Sequence, residues 1–195
     1  MINTPPSRRG QRLKLLGMVL SLVLTTAATD TIGDFASPWP KQMTRELASK
    51  VVADSEARQR VAREQIRGWS DVQLTEALTA RLANQTHVIY QPGFGVYVEY
   101  SGADGQVLMW FQKNPHVVHG TWAVVSKFGK PRVCFHYFNS TNYVTHEYEP
   151  TECIDPEQDI AAMGVLAART GDIYNLASGS IPYRKEAMDI PALPN

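Results

Sequence analysis

The chain has 195 residues, of which 44% are hydrophobic and 19% are charged, and its 19 basic residues balance 19 acidic ones. This length suffices for one domain with a substantial core. Because nucleic acids and anionic membranes bind clustered Lys and Arg, the lack of a basic excess argues against either of them as the partner.

Residues 1–28 have the order of a secretory signal peptide. A segment with four positive charges at 8–14 precedes an apolar run at 15–24, and small residues follow as far as Ala28. We expect cleavage after Ala28, which leaves a mildly acidic protein in the periplasm or outside the cell. The alternative is an uncleaved anchor, but the apolar run has about half the length that crosses a bilayer, so no stable membrane span is expected after cleavage.

Residues 29–40, with two prolines and one glycine, are expected to form a tether. A helical segment is expected at 41–69, because residues 41–67 lack Pro and Gly and are rich in strong helix formers. Its apolar residues predict a stripe that is interrupted between positions 53 and 60, along Met43, Leu47, Val51, Val61 and Ile66. This pattern predicts a partly exposed helix lying across the domain, and the alternative is a stalk or a helix that docks on a partner.

A β-rich domain is expected at 70–186, and a second helix opens it. Ser70 and Gln73 have the spacing of a capping box, in which each side chain accepts a hydrogen bond from the other residue's backbone. Leucines at a four-residue step then predict a helix over 71–83 that buries one edge, formed by Leu74, Leu78 and Leu82.

From residue 86 onward, short β-prone runs alternate with turn residues. The runs recur about every eight to twelve residues, at 87–90, 94–100, 107–111, 117–126, 133–138 and 143–148. Turn residues separate several of them, at 102–105, 129–131 and 139–142. The expected fold class is therefore α+β, with N-terminal helices followed by an antiparallel β-meander that is either open or partly closed into a small barrel.

The C-terminal part is less regular. Residues 155–159 predict a loop, and residues 160–169 fit either a short helix or a strand. Two turns flank a short apolar piece at 171–179, and the tail at 187–195 is expected to be loose.

Cys134 and Cys153 are the two cysteines of the chain. In an exported protein they predict a disulfide, which closes a loop of about twenty residues and contributes about 3 kcal/mol to stability. The alternatives are two buried free thiols, or a catalytic cysteine with His136 or His146 as its partner.

The leucine-edged helix, the pair Gly120 and Trp122 at the start of a central strand, and the two later cysteines resemble a family of small exported domains of unknown function that is common in alphaproteobacteria. The resemblance covers residues 70–153. It implies a small antiparallel, barrel-like sheet preceded by a helix, and it supplies no catalytic residues.

Histidines suggest a metal site as one alternative. If the run ending at 138 paired with the run starting at 143 in a suitable register, His136 and His146 would be cross-strand neighbours, with His116 and His119 as further candidate zinc ligands. A slip of one residue would separate the pair, so scattered histidines without a metal are the favoured interpretation. Acidic residues between 147 and 159 lack the order of a calcium loop.

Aromatic residues are frequent in the predicted strands, at Tyr97, Trp110, Phe111, Trp122, Phe135, Tyr137 and Phe138. They either fill the interior of a small barrel or line a pocket for a small apolar ligand. The sequence lacks a nucleophile elbow, a phosphate loop and a His-Glu-x-x-His motif, so no catalytic residue, metal or cofactor is assigned.

The sequence therefore predicts an exported, non-enzymatic binding or accessory domain whose partner is a small molecule or an envelope protein. Two alternatives are a subunit that docks on a larger envelope complex through its N-terminal helix and a periplasmic zinc-binding protein. A hydrolase with an unrecognised site is a further alternative.

Overall fold

The computed structural model describes residues 42–112, 114–127, 129–142, 144–182 and 186–193. The predicted signal peptide at 1–28 and tether at 29–40 lie outside the described residues. The helices found in these ranges are α1 (Arg45–Gln65), α2 (Asp71–Leu82) and α3 (Pro156–Ile160), with a short 3-10 turn at Leu176–Ser178. Within these ranges, no helix combines the length and the apolar character needed to span a bilayer.

The strands are β1 (Gln85–Gln91), β2 (Gly95–Ser101), β3 (Gln106–Phe111), β4 (Val118–Lys127), β5 (Lys130–Tyr137), β6 (Thr151–Ile154) and β7 (Val165–Thr170). They form one sheet in the order β6-β5-β4-β3-β2-β1-β7, and every neighbouring pair is antiparallel. The predicted α+β class and the antiparallel meander are confirmed. The sheet is an open half-barrel, and side chains of β2 and β5 meet across its concave face.

Both faces of the sheet are covered. On the concave face, Leu78 and Leu82 of α2 pack in one cluster with Trp122 and Phe135. On the outer face, a second cluster surrounds Trp110 and includes Val51 of α1 and residues that follow β7. The described residues from 42 onward belong to one compact unit.

Helix α1 begins at the cap Thr44, whose hydroxyl accepts a hydrogen bond from the Leu47 amide at 3.2 Å. Its first half buries Ala48 and Val51, close to the predicted stripe, but the second half differs from prediction. Val61 is 67% exposed, and Ala62 is buried in its place. Polar contacts determine which face of the second half of α1 points toward the domain, since Ser55 and Arg58 bind the backbone of the segment between α3 and β7.

Helix α2 follows the prediction closely. The Ser70 hydroxyl accepts from the Gln73 amide at 3.3 Å, and the Gln73 side chain accepts from the Ser70 amide at 2.9 Å, so the capping box is confirmed. The three leucines Leu74, Leu78 and Leu82 are buried as predicted.

The prediction of a sixth strand at 143–148 is wrong. The sixth strand is β6, and the described part of the preceding loop holds one isolated bridge, between Thr141 and Tyr148. His146 in this run and Glu149 just after it have positive φ angles of 61° and 47°, which lie outside the β region. The β5–β6 register places Cys134 directly opposite Cys153.

The C-terminal segments also differ from expectation. The predicted loop at 155–159 contains α3, which starts with Pro156 in the first helical position, where a missing amide proton costs little. The stretch at 160–169, which fitted either a helix or a strand, contains the last residue of α3 and all but the last residue of β7, which pairs with β1. The tail expected to be loose is packed as far as residue 193: the Ala187 carbonyl accepts from the Val96 amide at 2.8 Å, and Ile190 is buried.

Candidate ligand cavity

A cavity of about 320 Å³ lies on the concave face of the half-barrel. Strands β1, β2, β5 and β6 line it on one side, and residues of α1, α2, α3 and the segment before β7 line it on the other. Much of the wall is apolar, with Leu82, Ile89, Phe135 and Ile154 among its members. A few polar side chains interrupt this wall, and their surroundings define the site.

Glu99 is the most unusual of these side chains. It lies in the middle of β2, next to Tyr97 on the same face, and only 4% of it is exposed. The Tyr137 hydroxyl donates a 2.7 Å hydrogen bond to one oxygen of its carboxylate. Among the described residues, this is the one hydrogen bond that the carboxylate accepts. A buried carboxylate normally has more partners, so Glu99 retains unused hydrogen-bonding capacity toward the cavity.

Burial raises the pKa of Glu99 to about 7. The hydrogen bond from Tyr137 opposes this rise, whereas the nearby charges of Glu152 and Asp159 add to it. The carboxyl group therefore changes its charge near neutral pH, where an exposed glutamate is fully ionised.

His87 is paired directly opposite Glu99 across the β1–β2 ladder and is 5% exposed. Burial, and next the charge of Arg81, lower its pKa to about 4. The imidazole is therefore neutral at pH 7 and presents one donor and one acceptor nitrogen. No hydrogen bond to this ring is found within the described ranges, so it too has capacity for a partner in the cavity.

Tyr97 and Tyr137 lie in the cavity wall as neutral phenols. Burial, and next the charge of Glu99, raise the pKa of both Tyr97 and Tyr137 well above the usual value. The Tyr97 ring also meets Phe94 edge to face, with 5.2 Å between the ring centroids. These rings give the wall both aromatic faces and hydroxyl groups.

Arg81 of α2 and Asp159 of α3 form an ion pair on the helical side of the cavity. The Arg81 Nε lies 3.2 Å from Asp159 Oδ2, and both side chains are largely buried. Burial raises the pKa of Asp159, and the charge and hydrogen bond of Arg81 oppose that rise. The positive charge of Arg81 is therefore already engaged by a protein carboxylate.

The aromatic residues singled out from the sequence have different roles. Phe135, Tyr97 and Tyr137 line the cavity, whereas Trp110 and Trp122 lie in the two cores. The sequence left two alternatives for these aromatic residues, filling the interior or lining a pocket, and the structure contains both arrangements. Glu99 and His87 were missed as site residues, although a glutamate in the centre of a β-prone run was a detectable signal.

The predicted disulfide between Cys134 and Cys153 is present, so the alternatives of free thiols and a catalytic cysteine are wrong. It joins β5 to the edge strand β6 at directly opposed positions. Strand β6 carries Glu152 and Ile154, which line the cavity. The disulfide therefore fastens one wall of the site.

Gly120 and Trp122 have packing roles at the start of β4. A Cβ atom on Gly120 would collide with the carbonyl oxygen of His136 on β5 and lie 3.0 Å from a methyl group of Val107 on β3. The Trp122 indole nitrogen donates a buried 2.9 Å hydrogen bond to the Gly102 carbonyl. Neither residue lines the cavity.

The histidine pair proposed as the centre of a zinc site does not form. His136 is opposite Thr151 and its Nδ1 lies 2.9 Å from that residue's hydroxyl, while His146 lies in the loop before β6. His116 and His119 are exposed. Across the part of the chain that the structure describes, no three His, Cys, Asp or Glu side chains converge as metal ligands do.

We find no match to the chain among protein-family models, curated proteins or solved structures. Inferences about function therefore rest on the cavity and its residues.

Proposed function

We propose that the protein is an exported binding protein that takes a small molecule with an apolar body and a polar head into the cavity of the half-barrel. The observation that carries this proposal is Glu99, a buried carboxyl group in the cavity wall with a single hydrogen bond from the described residues. Burying such a group is costly, and one in a cleft with a strongly shifted pKa is a typical feature of functional sites.

The composition of the wall supports the same proposal. Ligand pockets are mostly apolar with a few converging polar groups, and they have volumes of ~300–1,000 Å³. The cavity has about 320 Å³, so its size fits a single-ring compound better than a lipid or a peptide.

The contacts of the cysteine thiols and of the serine hydroxyl in the cavity favour a binding function over covalent catalysis by these groups. Both cysteines are in the disulfide. The hydroxyl of Ser55, which lines the cavity, accepts hydrogen bonds from Arg58 and from the Gly164 amide, each at 3.1 Å. The cysteine thiols and the hydroxyl of Ser55 are thus committed to structural contacts.

Export is part of the proposal, and the leader sequence and the disulfide support it. We include membership in the small exported alphaproteobacterial family named above, on the motif residues alone. Docking through α1 is the weaker candidate, because Ala48, Val51 and Ala62 of that helix are buried within the domain itself.

Protein expressed with its own leader provides the test. Intact mass is expected to show a chain that starts at Thr29, and an unprocessed chain inside the cell would overturn export. The binding test is a titration followed in ¹H–¹⁵N correlation NMR spectra, with 2-phenylethanol, phenethylamine and phenylacetate as probes. At least one probe is expected to shift the amide signals of cavity residues such as Tyr97 and Tyr137.

Cavity-filling variants provide the control. Ile154→Trp, or Ile89→Phe if the first variant does not fold, is expected to abolish the shifts, since both residues line the cavity. Val144→Trp, at an exposed position in the loop before β6, is expected to leave them unchanged. Shifts that persist in the filled variants, or an absence of shifts with all three probes, would contradict a binding cavity.

A further inference from the structure

We propose that the cavity recognises an organic cation, an ammonium group on a small apolar body, with the charged nitrogen paired to the carboxylate of Glu99. The inference rests on the proposed binding function and names the chemical class of its ligand. It follows from the balance of charges in the wall and from the groups already paired.

The charges around Glu99 come from several elements. Strand β1 contributes Tyr90 and the neutral His87, and β6 contributes Glu152. Helix α2 contributes Arg81, and α3 contributes Asp159. Strands β2 and β5 add the neutral phenols of Tyr97 and Tyr137, and α1 adds no titratable side chain to the lining. The carboxyl groups of the wall thus outnumber its one permanently charged base.

That one base is not available to balance Glu99 or to hold an anion. Arg81 forms its ion pair with Asp159 at 3.2 Å. When Glu99 is ionised, its charge therefore has no cationic partner among the described residues of the wall, and a buried unpaired carboxylate is strongly unfavourable. An ammonium group in the cavity would provide the missing countercharge.

The aromatic wall supports a cation over a neutral hydrogen-bond donor. Rings of Phe135, Tyr97 and Tyr137 line the same cavity as Glu99. A desolvated ammonium is attracted to the faces of such rings, and small aromatic-lined pockets with one carboxylate are well suited to it. The apolar residues Leu82 and Ile154 would contact the ligand's uncharged body.

Binding would be coupled to a proton. Below the pKa of Glu99 the carboxyl group is neutral, and an ammonium ion that pairs with it displaces its proton to solvent. The products are the carboxylate–ammonium pair and one released proton, so charge and atoms balance. Affinity for a cation is therefore expected to rise with pH through the range in which Glu99 ionises, near pH 7.

The three NMR probes share a phenyl ring and differ in charge, so their dissociation constants test this inference. At about pH 8 we expect phenethylamine to bind about tenfold or more tightly than 2-phenylethanol, as a hydrogen bond to a charged group predicts, and phenylacetate to bind most weakly. Glu99→Gln is expected to reduce the difference between amine and alcohol to about threefold or less while the alcohol's affinity is kept. The matched control Glu147→Gln, at an exposed position in the loop before β6 and outside the cavity lining, is expected to change the amine's affinity by less than about threefold.

The outcomes separate the two proposals. If the alcohol or phenylacetate shifts the cavity signals and binds as tightly as the amine, the cation inference fails and the binding function stands. If no probe binds, both fail. If Glu99→Gln does not fold, the pH dependence of binding to the wild type provides the test. The affinity for the amine is expected to rise by about fivefold or more between about pH 5.5 and 8, while the affinity for the alcohol stays constant. An affinity for the amine that does not change with pH would overturn the inference.

Discussion

The hydroxyl of Tyr137 donates a 2.7 Å hydrogen bond to the carboxylate of Glu99, although strands β3 and β4 lie between their strands in the sheet. The contact spans the concave face and exists only because the sheet curls into a half-barrel. It places an ionisable group and its partner in the wall of the cavity, and so links the curvature of the sheet to the chemistry of the site.

Replacing Tyr137 with Phe tests this link. The variant removes a hydrogen bond to a buried carboxyl group, and such bonds to charged groups contribute about 1.5–3 kcal/mol. We expect urea denaturation to show a loss of that size at about pH 8.5, where Glu99 is ionised, and a smaller loss at about pH 5. Tyr100→Phe, which removes an exposed hydrogen bond to Asn84, is the control and is expected to have little effect at either pH. Equal losses at the two pH values would mean that the bond does not depend on the charge of Glu99.

The pH dependence of stability is expected to carry opposite contributions from Glu99 and His87. Burial raises the pKa of Glu99 from 4.5 to about 7 and lowers that of His87 from 6.5 to about 4, so folding favours the neutral form of each. The contribution of Glu99 is complete below pH 4.5 and is lost as the pH rises to about 7. The contribution of His87 is complete above pH 6.5 and is lost as the pH falls to about 4.

Two variants separate these contributions. The free energy of unfolding of Glu99→Gln, relative to the wild type, is expected to increase by up to about 3 kcal/mol as the pH rises from 4.5 to 7. That of His87→Gln is expected to increase by up to about 3 kcal/mol as the pH falls from 6.5 to 4. Denaturation midpoints measured across this range check both signs. The exposed residues Glu147 and His119, changed to Gln, serve as controls whose difference from the wild type stays nearly constant. A slope of the other sign for either buried variant would contradict its assigned burial.

Gly120→Ala is expected to destabilise the fold by about 2 kcal/mol or more, in the range of overpacked cores. The added methyl group would collide with the His136 carbonyl on the neighbouring strand, and strand backbones have little freedom to move apart. Thermal unfolding measures the effect. Thr121→Ala, at the next and exposed position, is the control and is expected to change the melting temperature little. A neutral Gly120→Ala variant would show that the close approach of β4 and β5 is not required.

Removal of the disulfide in the double variant Cys134→Ser, Cys153→Ser is expected to lower stability by about 3 kcal/mol without changing the fold, because the bridge spans a sequence separation of 19 residues. The reduced wild type is expected to match the variant in chemical denaturation. Since the bridge fastens β6, the amide signals of Glu152 and Ile154 are expected to change more than those of β1. Identical stability of the oxidised and reduced wild type would overturn the structural role of the bridge.

Local signals in the sequence predicted much of the fold. The capping box at Ser70 and Gln73, the leucine edge of α2 and the β-prone runs at β2 to β5 are read from residues close together in the chain, and their outcome depends on short-range sterics and hydrogen bonds. The cysteine pair was predictable for a different reason, since two cysteines in a chain with a predicted export leader have one possible intramolecular partner each.

The errors arose where distant contacts override local preference. The run at 143–148 is β-prone, but β5 pairs with residues 151–154, where Cys153 lies opposite Cys134, and the described part of the run lies in the preceding loop. Val61 fits the apolar stripe of α1, yet a different face is turned inward, where Ser55 accepts a hydrogen bond from the Gly164 amide and Arg58 donates one to the Ala161 carbonyl.

By itself, the sequence determined α1, α2, the antiparallel meander of β1 to β5 and the disulfide, because each depends on neighbours in the chain or on a unique pairing. Only the tertiary structure decided where the cavity lies and which residues line it. Glu99, His87 and Tyr137 come from three strands, and curling of the sheet brings Tyr137 to Glu99 while helices and the edge strand enclose them. The burial that shifts the pKa of Glu99 is a property of that enclosure, and no short stretch of residues encodes it.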